Sequence, residues 1–178
     1  MDAHTPTTSP TGNLHGMPVA HLLGYGDPRL TEIFGLCPKI RPQNLALVGI
    51  RSFEAEEREL LEKLKVPIFY DEDIQKRGLK AVMNDALTVV NDGTDCFGMS
   101  IDVDAFQIQD APGTGTPENG GIVAAEFLNY LKTINYQRHI ATEIVEFMPE
   151  KDDEVKTTEK LVVNLLEAIY LTKFGERK

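Results

Sequence analysis

Cysteine, long apolar runs and positive charge are all scarce in this chain. Its two cysteines, Cys37 and Cys96, lack a metal-binding spacing and are expected to be reduced thiols in a reducing compartment. No apolar run approaches the ~18 residues of a membrane span, and no signal peptide is recognisable. The net charge of −10 disfavours nucleic acid as a partner, because phosphates would be repelled. These features predict a cytoplasmic protein that binds neither membrane nor nucleic acid.

The segments that are present predict one α/β domain. The 178 residues are enough for one ordinary core, and the hydrophobic content of 42% argues against disorder. Apolar periodicity predicts strands at residues 45–50, 66–70, 96–101 and 139–147. It predicts helices at residues 54–65, 73–90, 121–133 and 153–174. Because strands and helices alternate, we expect a parallel sheet with helices on both faces.

The last predicted helix can be described in more detail. Asp153 is expected to cap its first turn. Its inward face is expected to include Val155, Val162, Leu166 and Ile169.

The most informative segment is the predicted strand 96–101 with the two carboxylates that follow it, Asp102 and Asp104. Residues two apart in a strand point to the same side, so we expect these carboxylates to converge at the strand's end. Two close carboxylates repel unless a cation or a proton lies between them, and hard oxygen ligands suit Mn or Mg. The alternative is that one Asp caps a turn and the other faces water. The pair alone does not decide between these readings.

Other acidic residues also follow predicted strands. Glu54 lies after the first strand, and Glu143 and Glu146 lie near the end of the fourth. Ligands of open α/β sheets bind beyond the carboxyl ends of the strands, so these positions suit a functional site.

Four segments together resemble the arginase (ureohydrolase) family. The run of residues 1–18, MDAHTPTTSPTGNLHGMP, resembles its substrate loop, and Gly49-Ile50-Arg51 with Glu54 resembles the next active-site segment. Asp102-Val103-Asp104, with residues 114–117 and 120–121, resembles the metal-binding signature, and residues 143–146 resemble the last catalytic strand. The matches follow the family's order and spacing over nearly the whole chain. The resemblance implies an incomplete three-layer α/β/α fold in which residues 1–178 form the C-terminal portion of a single arginase-like domain.

The resemblance also implies a ligand set. Arginases bind two Mn ions through six protein ligands, and the residues here that match are Asp2, Asp102 and Asp104, with Asp102 shared between both ions. The other three ligands would precede Met1. The segment Asp2-Ala3-His4 imitates an earlier motif, but Pro6 would then occupy a ligand position. In the family a strand lies between the one carrying Asp102 and the one ending at Ile50, so those two strands are expected either to close up or to stay unpaired.

Two catalytic roles are implied. Glu146 would face the substrate guanidinium, although a carboxylate there could equally form a salt bridge with Lys or Arg. His15 would transfer a proton to the leaving amine, a role that suits imidazole near neutral pH. Its alternative is a loop histidine bonded to backbone.

Five residues are implied in substrate binding. Thr11 and Asn13 would bind the α-carboxylate, although both are ordinary turn residues. Glu54 would receive the α-ammonium, or simply sit at a helix start where a carboxylate is favoured. Thr116 would position the substrate, or cap a helix starting near Pro117. His4 stands where arginases usually carry an Asn that touches the substrate. Two further departures are Gln107 and Glu143, each at a position where the family has Asp.

The function implied by the resemblance is manganese-dependent hydrolysis of L-arginine to L-ornithine and urea by a homo-oligomer, impaired in this chain. The loop of residues 11–17, Thr-Gly-Asn-Leu-His-Gly-Met, serves an amino-acid head group and favours arginine over agmatine. Two alternatives stay open. The chain could be an inactive remnant or an interaction fragment, or an agmatinase-like enzyme acting on another guanidino group.

Overall fold

The computed structural model describes residues 2–175 as alternating strands and helices. The strands are β1 (Leu47–Ile50), β2 (Ile68–Tyr70), β3 (Phe97–Asp102) and β4 (His139–Val145). The helices are α1 (Pro18–Leu22), α2 (Pro28–Thr31), α3 (Ala55–Leu64), α4 (Asp71–Arg77), α5 (Leu79–Asn91), α6 (Ala124–Leu131) and α7 (Thr157–Phe174). The predicted α/β class is confirmed. Within residues 2–175 no helix is long and apolar enough to cross a membrane.

The parallel strands form two separate pairs. β1 pairs with β2 in the register Leu47 to Ile68, and β3 pairs with β4 in the register Asp102 to Val145. In the part of the chain that the structure describes, no ladder of hydrogen bonds joins β1 to β3. These two strands therefore do not close up, and each is paired along one edge only.

The predicted helix 73–90 is wrong as a single element. The structure has α4 and α5 instead, and Gly78 separates them with a φ of +81°. A right-handed helix cannot continue through that conformation, which glycine adopts without steric cost. The chain therefore turns between the two helices, and α4 packs against β1 and β2.

The inward face predicted for the last helix is partly wrong. Val155 precedes α7 and is 62% exposed, and Leu166 is 51% exposed. The side chains buried at helical spacing are Leu161, Leu165, Ala168 and Ile169. Of the predicted set, only Ile169 is buried, and Val162 packs at the margin of the core.

Two aspartates hold the start of α7. The helix begins at Thr157, four residues later than predicted, and Lys156 is its N-cap residue. Asp153 still binds the first turn, because it accepts the backbone N–H of Thr157 at 2.8 Å. Asp152 accepts from the N–H groups of Thr158 and Glu159 at 3.0 and 2.9 Å. Three of the N–H groups that a helix start leaves without intrahelical partners are thereby satisfied.

Buried apolar residues form one large and one small cluster. The large cluster joins β3 and β4 to α5, α6 and α7, and its fully buried members include Val82, Val103, Leu131 and Leu165. The small cluster contains Ala3, Leu23, Leu61 and Val66. β1 lies between them, because Leu47 packs on the small cluster and Val48 on the large one.

Candidate active site

Asp102 and Asp104 meet through a turn and not through a shared strand. β3 ends at Asp102, and residues 103–105 form a 3-10 turn. The Asp102 carboxylate accepts the backbone N–H of Asp104 at 3.0 Å. The i, i+2 strand argument therefore fails for Asp104, because a side-chain hydrogen bond to the backbone replaces the strand ladder there.

Four carboxylates gather at the carboxyl ends of β3 and β4. Burial, followed by repulsion from Asp104, Asp2 and Glu146, raises the pKa of Asp102 to about 7. Burial also raises the pKa of Asp2, and repulsion from Asp104 and Glu146 acts in the same direction. Such mutual repulsion means that the group of charges is unfavourable until a proton or a cation offsets it.

Backbone strain marks two members of this group. Asp2 has a φ of +51° and Glu146, directly after β4, has a φ of +62°. Residues other than glycine rarely adopt this left-handed region, and strained backbone clusters at functional sites. The left-handed turn at Glu146 ends the strand run of β4, and the Glu146 side chain is exposed.

Thr116 lies beside the same group. Its hydroxyl donates to Asp104 at 3.5 Å. The alternative reading, that Thr116 caps a helix starting near Pro117, is wrong because the next helix begins only at Ala124.

A second acidic group surrounds His4. The imidazole of His4 is buried, and its Nε2 lies 3.6 Å from Glu54 and 3.7 Å from Glu57. Glu54 is the residue preceding α3, so the helix-start reading of this carboxylate also describes its position.

Glu57 is the residue that sequence reasoning missed. It is buried, and it accepts the N–H of Ala3 at 2.9 Å and the N–H of Glu54 at 2.9 Å. These bonds fix the segment that carries Asp2 and His4 onto the start of α3. The signal in the sequence is the Glu-x-x-Glu spacing of a capping box, which predicts the second of these bonds but not the first.

The remaining predicted residues stay in an exposed loop. The hydroxyl of Thr11 accepts the N–H of Asn13 at 3.3 Å, and His15 lies in the short turn Leu14–Gly16. No hydrogen bond or ion pair joins these three side chains to the carboxylates within residues 2–175. The structure thus brings Asp2, Asp102, Asp104 and Glu146 within electrostatic range of one another, with Thr116 bonded to Asp104, and among residues 2–175 it shows no bond from Thr11, Asn13 or His15 to this group.

The carboxylates supply the oxygen donors that manganese accepts, but not a complete centre. Oxygen ligands suit Mn²⁺, and repelling carboxylates favour a bound cation. Among residues 2–175, however, no three His, Cys, Asp or Glu side chains stand close enough together to hold a metal ion. The residues present therefore do not by themselves fit the two-ion centre that the resemblance implies.

Comparison with known proteins places the chain in a family. A sequence model of the arginase family matches residues 1–172. The chain belongs to the arginase family. The arginase of Brevibacillus brevis is 38% identical over 170 residues, which cover 95% of this chain and 57% of that protein. The arginase of Bacillus caldovelox is 34% identical over 177 residues, which cover 99% of this chain and 58% of that protein.

Solved structures agree with the arginase assignment. The native Bacillus caldovelox arginase at pH 5.6 matches with a TM-score of 0.90 and 34% identity, over 99% of this chain and 58% of that one. A formimidoylglutamase from Bacillus subtilis matches with a TM-score of 0.79 and 27% identity, over 97% of this chain and 50% of that one. The incomplete arginase-like fold is therefore confirmed. The fold alone does not select the substrate, and the chain spans 57–58% of the length of its arginase relatives.

Proposed function

We propose that the protein to which this chain belongs hydrolyses the guanidino group of L-arginine, with manganese, to L-ornithine and urea. The observation that carries the proposal is the gathering of Asp2, Asp102, Asp104 and Glu146 at one end of the strands, in a chain of the arginase family. We also propose, from the resemblance alone, that the whole protein is a cytoplasmic homo-oligomer.

The three aspartates are the proposed metal ligands. Asp2, Asp102 and Asp104 would contribute oxygen atoms to a manganese centre that needs further ligands from outside this chain. Once completed by such ligands, a manganese ion there would lower the pKa of bound water. The raised pKa of Asp102 supports this role, because the same repulsion that favours a proton favours a cation.

The substrate contacts follow from charge. The exposed carboxylate of Glu146 would bind the guanidinium, and Glu54 would bind the α-ammonium. Thr11 and Asn13 would donate to the α-carboxylate, which agmatine lacks, so the loop favours arginine. His15 is exposed, and we assign it the transfer of a proton to the leaving amine. Thr116 would hold Asp104 through its hydroxyl. His4 would lie at the substrate end of Glu54.

An inactive or interaction fragment is the second candidate. Two observations favour it: residues 2–175 contain no group of side chains arranged to hold a metal, and their strands form two separate pairs. Both candidates predict that the 178-residue chain alone has no significant activity. They differ in what a longer protein that contains this chain does.

The test is urea release with Mn²⁺ present. We expect no significant turnover of arginine by the 178-residue chain. We expect turnover by a version extended at the N-terminus with the corresponding segment of an arginase relative, and its loss, by at least about 10³-fold, in Asp102→Ala of that version. Asp95→Ala is the matched control, because the Asp95 side chain is exposed at the opposite end of β3.

Three outcomes would contradict the proposal. Robust turnover by the well-folded 178-residue chain would show that the ligand assignment is wrong. An extended version that binds Mn²⁺ and is inactive would favour the interaction fragment. Faster turnover of agmatine than of arginine would move the assignment to the other guanidino hydrolases.

A further inference from the structure

Arg51 connects the two strand pairs at the end where the carboxylates gather. It directly follows β1, and its guanidinium lies against the chain that follows β3. Its Nη2 donates to the carbonyl of Asp104 at 2.5 Å, and its Nη1 donates to that of Ala105 at 3.4 Å. Longer contacts reach the carbonyls of Phe106 at 3.5 Å and Glu118 at 3.4 Å.

These carbonyls belong to two segments that already lie together. The N–H of Ile122 donates to Ala105 at 2.9 Å, and the N–H of Gln107 donates to Ile122 at 3.0 Å. Gly121, with a φ of +102°, permits this approach, because a Cβ atom there would lie 2.8 Å from the carbonyl oxygens of Ala105 and Phe106. The guanidinium of Arg51 thus binds the edge of a close-packed arrangement of main chain.

Side chains of Arg51 and of the neighbouring Ser52 supply this connection, since the Ser52 hydroxyl donates to the Glu118 carboxylate at 3.4 Å. Since β1 and β3 share no ladder within residues 2–175, the usual backbone bonds that align neighbouring strands are absent at this point. A guanidinium can replace several of them because its planar fork carries five donors in fixed directions. Arg51 is half-buried, and Asp71 lies nearby across Gly120.

We propose that Arg51 is a positioning residue of the acidic site, which holds the main chain of Asp104 and the loop 118–122 in register with the end of β1. Its meaning for catalysis rests on the function proposed above. Its effect on the backbone does not, because that effect depends only on contacts between Arg51 and main-chain carbonyls. Arg51 acts through the carbonyl of Asp104 and touches none of the carboxylates that would bind the reacting groups.

Hydrogen–deuterium exchange of the 178-residue chain without metal tests the proposal. In Arg51→Met we expect the amides of Asp104, Phe106, Gln107 and Ile122 to exchange about tenfold faster. Arg51→Lys should give an intermediate increase, because one ammonium keeps the charge but cannot fork.

Arg138→Met is the matched control at the other end of β3. Arg138 also donates to backbone carbonyls, those of Asp95 at 3.1 Å and Asn91 at 3.4 Å. The variant Arg138→Met should accelerate hydrogen–deuterium exchange near residues 91–97 and leave exchange at residues 104–107 unchanged. Unchanged exchange at 104–107 and 122 in Arg51→Met would overturn the proposal. Equal acceleration throughout the chain would also overturn it, by showing general destabilisation instead of positioning.

A titration with Mn²⁺, followed by electron paramagnetic resonance of the free ion, separates this inference from the proposed function. In the extended version we expect Mn²⁺ to bind, with about tenfold weaker binding in Arg51→Met and no change in Arg138→Met. If the extended version binds no Mn²⁺, the proposed ligand assignment fails, and the exchange comparison still decides the role of Arg51.

Discussion

The β3–β4 pair and the β1–β2 pair each carry part of the candidate site, but they differ in strand length and in the size of the apolar cluster on which they pack. β3 and β4 have six and seven residues and pack on the large apolar cluster with three helices. β1 and β2 have four and three residues, and the small cluster beside them has only four buried members. Asp102 ends β3 and Asp104 and Glu146 follow this first pair, whereas Asp2, His4 and Glu54 lie beside the second pair. The proposed ligands Asp102 and Asp104 and the proposed guanidinium anchor Glu146 are therefore held more firmly than Asp2, His4 and Glu54.

Truncating the large cluster should have the largest effect. Leu165 is completely buried in α7, and Leu165→Ala is expected to destabilise the chain by about 3–4 kcal/mol through lost burial and the cavity left behind. Leu61 is also completely buried, but Leu61→Ala should cost only ~2 kcal/mol, because the smaller cluster can relax around the gap. Urea denaturation followed by circular dichroism measures both.

Leu166→Ala provides the control for this comparison. Leu166 lies next to Leu165 and is 51% exposed, so its truncation should change the free energy of unfolding by less than about 0.5 kcal/mol. A loss from Leu61→Ala equal to that from Leu165→Ala would mean that the two clusters unfold as one unit, and the comparison between the pairs would break down.

Protonation of Asp102 should have the next largest effect. Its pKa is about 7 in the folded chain against an ordinary value of 3.8, so the folded chain holds this proton more tightly than the unfolded chain does. The stability that the proton contributes is fully present below about pH 4 and is lost as the pH rises to about 7. Asp102→Asn, which stays neutral, should be ~2 kcal/mol more stable than wild type at pH 8 and nearly equal to it at pH 4.

The measurement is urea denaturation of both proteins in metal-free buffer across this pH range. Asp95→Asn serves as the comparison, because it removes an exposed carboxylate at the opposite end of β3. A constant difference between wild type and Asp102→Asn at all pH values would show that Asp102 ionises normally.

A substitution of Gly78, the residue between α4 and α5, should have the smallest effect on the free energy of unfolding. Gly78 has a φ of +81°, and a Cβ atom there would meet no other atom within 4 Å. Gly78→Ala should therefore cost only the backbone strain, about 1 kcal/mol. Thermal unfolding would show it. A stabilised variant would mean that the two helices can merge into the single helix that the sequence pattern indicates.

The sequence predicts local features better than long-range ones. All four strands are found near their predicted positions, because short apolar runs bounded by turns are a local signal. The meeting of Asp102 with Glu146 follows from the rule that sites form at the carboxyl ends of strands. The turn between Asp102 and Asp104 is not predicted, because there the Asp102 carboxylate takes the backbone N–H of Asp104 that a strand ladder would otherwise use. The phase of α7 was missed because its apolar residues surround the helix, so the pattern selects no single face.

Glu57 and Arg51 make contacts that a local sequence pattern does not predict. Glu57 binds Ala3, 54 residues away, and Arg51 binds Asp104, 53 residues away. Neither partner is visible in a local pattern, because both contacts depend on how the strand pairs are placed in space. The capping-box spacing marked Glu57 as part of a helix start but gave no sign of its second partner.

At Glu146, the residue types that would relax the left-handed backbone lack the carboxylate that the proposed function needs. Glycine or asparagine would relax the φ of +62°, but either would delete the carboxylate that we place against the guanidinium. A laboratory selection of this chain for thermal stability alone should therefore enrich glycine or asparagine at position 146. Directed evolution toward a robust scaffold would remove the proposed substrate anchor first, so any such library needs position 146 held fixed as glutamate.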